Sequence, residues 1–149
     1  MRQWALLVYK VPPEPTARRV FVWRKLKRLG ALLLHDAVWV LPATPATLEQ
    51  FQWLATEIEE MEGDALMWEA TLRLESQNTA LEARFVAQAE AGYRDILAAL
   101  RRPDADRSAL SKQYQVVQAH DYFQIELGAL VREALTASTS GGEEGGNEA

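Results

Sequence analysis

Apolar residues recur along this chain at two spacings, and the spacing changes mark its elements. Residues 4–9, WALLVY, are a short apolar run rich in strand formers, which predicts a buried strand. Pro12, Pro13 and Pro15 follow; they offer no ladder donors and end it. A helix opening at Pro15 or Thr16 and running to residue 29 comes next. In it Val22, Leu26 and Leu29 share one face at i, i+4, i+7, with Arg24, Lys27 and Arg28 on the other side. Gly30 stands where a left-handed cap belongs. Residues 31–34 and 37–41 are two short apolar runs around His35-Asp36, read as a hairpin with a two-residue connection. Thr44 and Pro45 give a cap and a first-turn proline. The helix they open continues to about residue 61, with Leu48, Phe51, Ala55 and Ile58 inward. Gly63-Asp64 turns the chain, and residues 65–72 read as a fourth strand.

Strand, helix, strand, strand, helix, strand is the split arrangement of an α+β, ferredoxin-like βαββαβ fold. Two longer helices are predicted after it, 79–101 and 108–135, parted by Pro103-Asp104, so the fold gains a C-terminal helical pair. In the second of them Val116, His120, Phe123, Leu127, Leu130 and Ala134 form a seam at alternating spacings of four and three, suited to a neighbouring helix or a partner chain. The expected division is a core over 1–75, a two-helix extension over 76–135 and a tail over 136–149. The tail, TASTSGGEEGGNEA, has little to bury and is expected to be disordered or to begin a linker.

Composition narrows the function classes. The chain of 149 residues has no cysteine, which excludes disulfides, thiolate catalysis and cysteine-bound zinc. No run approaches the roughly 20 apolar residues of a membrane span. WALLVY after Met1-Arg2 resembles a short signal core, but Lys10 and the prolines follow with no small-residue cleavage pattern. A cytoplasmic protein away from membranes is expected. The net charge of −5 hides an asymmetry: residues 1–41 hold eight Lys/Arg against Glu14 and Asp36, or +6, and residues 42–149 carry −11. Such a separation points to a local anionic partner.

Two cation sets are candidates. Arg24, Lys25, Lys27 and Arg28 on the first helix suit DNA phosphates, each contact adding a salt-sensitive, sequence-independent contribution. The plain alternative is a solvated helix face. Lys10, Arg18 and Arg19 lie at the strand end and the helix's first turn, where a tetrahedral oxyanion such as sulfate would be favoured. The alternative there is pairing with Glu14 or another acid. His35-Asp36 is explained by turn chemistry, and His120 reads as a packed helix histidine, since no third ligand stands at metal spacing. No Ser-His-Asp order, phosphate loop or paired-acid signature is visible, so neither an enzyme nor a cofactor is expected. Trp53 falls on an acidic helix face and reads as exposed. Trp4, Trp23, Trp39 and Trp68 are assigned to the sheet core or its edges, with base stacking by Trp23 beside Arg19 as the alternative to core packing.

Five pieces in order resemble one family: LLVYKVP (6–12), VWRKLKRLGA (22–31), DAVWVLP (36–42), LATEIEEMEGDAL (54–66) and QYQVVQAHDYF (113–123). The family is the N-terminal domain of the bacterial chromate-resistance regulator ChrB. The resemblance implies transcriptional control of a chromate-efflux operon, hence promoter DNA as partner, with a second domain following about where this chain stops. A more distant resemblance is to the middle domain of phenylacetate-pathway repressors and to the small CRISPR-adaptation nucleases. In the nucleases a strand-end Asp is implicated in metal-dependent cleavage. Lys10 holds that position here, and a charged lysine cannot ligate a hard metal. The expectation is thus a non-enzymatic, homodimeric DNA-binding regulator. Its rival from another class is a protein-interaction module whose basic helix is merely solvated.

Overall fold

The computed structural model describes residues 2–36 and 38–144. In chain order they form β1 (Gln3–Lys10), α1 (Thr16–Arg28), β2 (Leu32–Leu34), β3 (Val38–Pro42), α2 (Pro45–Glu60), β4 (Asp64–Thr71), α3 (Glu75–Leu100), α4 (Arg107–Ala119) and α5 (Glu126–Glu144). The fold is α+β. The chain divides into two compact units, Met1–Leu81 and Glu82–Ala149.

The first unit is built on an antiparallel sheet of order β2-β3-β1-β4. Alternation along β1 sends Ala5 and Leu7 to one face, level with Leu41 and Trp39 of β3. α2 lies against β1 and β4 and touches α1. Val22 and Leu26 of α1, with Phe51, Leu54 and Ile58 of α2, are fully buried. Thr44 caps α2 in a reciprocal box: its hydroxyl accepts from the Thr47 backbone, and the Thr47 hydroxyl accepts from the Thr44 backbone. Gly63 is required by space, since a Cβ there would stand 2.6 Å from the Lys10 carbonyl oxygen. Leu34 pairs with Val38, and His35 takes a left-handed φ of 55°.

On the other face, the Trp4 indole N–H donates to Asn78 Oδ1 at 2.9 Å, both residues being buried. Leu66 and Trp68 of the edge strand β4 pair with Val8 and Leu6 and share that face, yet they are 60% and 55% exposed.

The second unit corrects the expected helical pair: among its described residues there are three helices. The chain breaks at His120 and starts again at Glu126, so the continuous seam from Val116 to Ala134 does not form, and Val116 and Leu130 are exposed. The physical reason is local. Asp121 accepts at both carboxylate oxygens from the Ile125 N–H, and its Oδ2 accepts from the buried Tyr93 hydroxyl at 2.9 Å. Gln124 adopts a left-handed φ of 49°. Asp121 is thus a capping residue, and capping competes with helix continuation. The core gathers Ala89, Tyr93, Ile96, Leu110, Tyr114, Val117, Val131 and Leu135. Over residues 136–144, where disorder was expected, α5 continues; extending a formed helix needs no new nucleus. Residues 145–149 of the expected tail lie outside the described residues.

Candidate functional site

α1 is a helix with a small inward face. Pro15, in extended conformation, precedes it, and Lys25, Lys27 and Arg28 fill its last turn, where cations complement the helix dipole. It ends as anticipated at Gly30, φ 75°. The Gly30 N–H donates to the Lys27 carbonyl and the Ala31 N–H to the Leu26 carbonyl, the paired bonds of a Schellman motif. Only Val22 and Leu26 are buried.

The remaining surface is basic and apolar together. Arg24, Lys27 and Arg28 are exposed, as the helical spacing predicted. Among the described residues, neither they nor Arg19 form an ion pair. Lys25 differs: it is half-buried and its Nζ lies 3.9 Å from Glu57 of α2, so its charge is turned toward the neighbouring helix. Val20, Phe21 and Trp23 are exposed on the same helix, Trp23 at 51%. Core packing therefore does not hold for Trp23, whereas Trp4 and Trp39 are buried. The sequence reading missed Val20 and Phe21. The available signal was that a 13-residue helix bearing six cations can hide only one narrow stripe.

Grooves follow this surface. One, of about 490 Å³, runs between Val20, Phe21, Arg24 and Arg28. Another, of about 420 Å³, lies between Tyr9, Arg19, Trp23 and Arg24. A third, of about 390 Å³, takes in Tyr9, Lys10, Arg19, Trp23, Asp36 and Trp39. Burial raises the pKa of the Tyr9 hydroxyl, while the Arg19 charge and a hydrogen bond with Trp39 act against that rise.

The three cations expected to converge on an oxyanion separate into two groups. Lys10 and Arg19 line one cleft. Arg18 is half-buried, and its guanidinium lies 3.8 Å from Glu62. The left-handed backbone of Glu62, φ 66°, belongs to the turn after α2, which brings that carboxylate to Arg18.

Neither histidine is among the residues that line these clefts. His35 is an exposed turn residue. His120 has a buried Nδ1 without a hydrogen-bond partner, and burial holds its pKa below 6.5 against the pull of Asp121. No group of three or more His, Asp or Glu among the described residues is placed to hold a metal ion. No helix among them is long and apolar enough to cross a membrane.

The chain is similar to Protein ChrB of Cupriavidus metallidurans, with 36% identity over 64 residues, 43% of this chain and 20% of that protein. The matched stretch thus spans about a fifth of that relative's length. The family described as Protein ChrB, N-terminal, matches residues 19–119, from the first turn of the basic helix to the end of α4. That stretch is more than half of the chain, and the chain belongs to the ChrB N-terminal family.

Proposed function

We propose that this chain is a DNA-binding module of chromate-responsive transcriptional control, engaging phosphates through Arg24, Lys27 and Arg28. The observation that carries the reading is the outer face of α1. Its three cations are exposed and without carboxylate partners among the described residues, in the part of an acidic chain that bears a local charge of +6. Such charges supply salt-sensitive phosphate contacts. Lys25 is a lesser contributor, since Glu57 already neutralises part of its field. Family membership supports the chromate link.

The strand order β2-β3-β1-β4, antiparallel throughout, supports a ferredoxin-like class for the sheet unit. We read the chain as a cytoplasmic homodimer without catalytic activity. Support for pairing comes from β4: an eight-residue edge strand without Pro, Lys or Arg, showing Leu66 and Trp68 to solvent. Lys10 and Arg19 remain a site for an oxyanion such as chromate or sulfate, with Arg18 drawn to Glu62. A second reading, protein interaction through α2, is favoured by Trp53, which is exposed and donates to Glu49 at 3.3 Å.

Titration of labelled chromate-operon promoter DNA, with and without chromate, tests the proposal. Saturable binding that chromate weakens is expected. Absence of binding at low salt would leave the α2 reading in its place.

A further inference from the structure

The cleft beside Trp23 combines features that a phosphate-contacting helix face does not need. Trp39, 5% exposed, and the half-buried Tyr9 give it aromatic walls, and Trp23 stands exposed at its rim. Lys10 and Arg19 supply two cations, and Asp36 supplies one carboxylate at the β2–β3 turn. Its volume of about 390 Å³ falls in the range of small-ligand clefts, roughly 300–1,000 Å³. A bare oxyanion uses the cations but leaves the aromatic walls idle, and Asp36 repels it. A ligand with a planar ring, a phosphate and ring-borne N–H donors uses all three features.

We infer that this cleft holds one nucleotide unit, with the base stacked on Trp23, the phosphate held by Lys10 and Arg19, and a base amino group donating to Asp36. The assignment uses the same two cations as the oxyanion reading and takes no phosphate contact from Arg24, Lys27 or Arg28, although Lys27 lies over the Trp23 ring. Asp36 favours adenine over thymine, which has no exocyclic amino group to donate. The unit comes either from a free mononucleotide or from an unpaired residue of a DNA strand. Both present the same chemistry.

Calorimetric titration of the full chain at low salt tests this with dAMP, dTMP, deoxyadenosine, inorganic phosphate, sulfate and a five-residue oligo(dA). Binding of dAMP is expected, with deoxyadenosine and phosphate each about tenfold weaker. Trp23→Leu, and separately Lys10→Ala with Arg19→Ala, should each weaken dAMP about tenfold. All three residues lie at the surface, and circular dichroism checks that the variants fold. Asp36→Asn should narrow the preference for dAMP over dTMP. Saturation by dAMP assigns the free mononucleotide. Binding of the oligonucleotide alone, with the same dependence on Trp23, assigns the strand. If sulfate or phosphate matches dAMP, the nucleotide assignment falls and the oxyanion reading survives. Silence from every ligand, or dAMP binding unchanged in Trp23→Leu, overturns the assignment while leaving duplex binding through Arg24, Lys27 and Arg28 intact.

Discussion

Lys27 Nζ lies 5.6 Å from the centroid of the Trp23 ring. A cation–π contact at an exposed site contributes about 0.5–1 kcal/mol, so this pair orders the outer surface of α1 more than it holds the fold. Trp23→Leu should therefore change unfolding free energy by no more than about 1 kcal/mol in denaturant titration. Leu26→Ala, three residues on but fully buried, should cost about 2–5 kcal/mol. Equal losses from both would mean that Trp23 packs inward.

The helical unit depends on close approaches that tolerate little added volume. A Cβ at Gly128 would stand 2.7 Å from the Tyr93 hydroxyl oxygen, and Tyr93 is buried and tied to Asp121. Gly128→Ala should destabilise despite alanine's better helix propensity, by about 1–3 kcal/mol. Phe85, 2% exposed and edge-on to Tyr122 at 6.1 Å, should cost about 3–5 kcal/mol on truncation to Ala. Phe123→Ala should cost less, because that ring is half-buried. Chemical denaturation orders the three variants.

His120 sets an acid limit. Its folded-state pKa is lowered by burial, so the neutral form contributes stability present above pH 6.5 and lost as pH falls through the folded value. Thermal unfolding should show a stability decline below pH 6.5 that His120→Gln flattens. At the alkaline end, burial pushes the Tyr122 hydroxyl up to about 12 from 10.0. Its contribution is complete below pH 10 and is lost as pH rises toward 12, and Tyr122→Phe should lessen the alkaline decline, which the raised Tyr93 hydroxyl shares. A pH profile identical in wild type and in His120→Gln would contradict the first assignment.

Lys10 is exposed at the end of β1. Purified protein should leave DNA uncut in Mg²⁺ or Mn²⁺, as read by gel over hours. Reproducible cleavage, abolished by a substitution in this chain, would overturn the non-enzymatic reading.

The sheet unit was legible in the sequence because its signals are local and mutually consistent. Three prolines end β1, Gly30 ends α1, and Thr44-Pro45 opens α2. The helical unit was less so. The spacing from Val116 to Ala134 fits a helix, and nothing in it shows that Asp121 would meet Tyr93, 28 residues earlier, and cap a new helix at Ile125. Of the candidate site, exposure of Arg24, Lys27 and Arg28 followed from helical geometry alone. The fates of Arg18 and Lys25 were set by Glu62, in the turn after α2, and Glu57, on α2, and tertiary pairing of that kind leaves no periodic trace. Trp23 was read as core because tryptophan usually is, and its exposure shows how narrow the buried stripe of α1 is.

The central claim is phosphate contact by the outer face of α1, and its most direct test is the salt dependence of duplex binding. The slope of log K against log[salt] should be about −0.9 for each phosphate contacted. Joint replacement of Arg24, Lys27 and Arg28 by Ala should make the slope shallower by roughly 2–3 and weaken binding at low salt, with thermal stability unchanged. An unaltered slope and affinity in that folded triple variant would contradict the account.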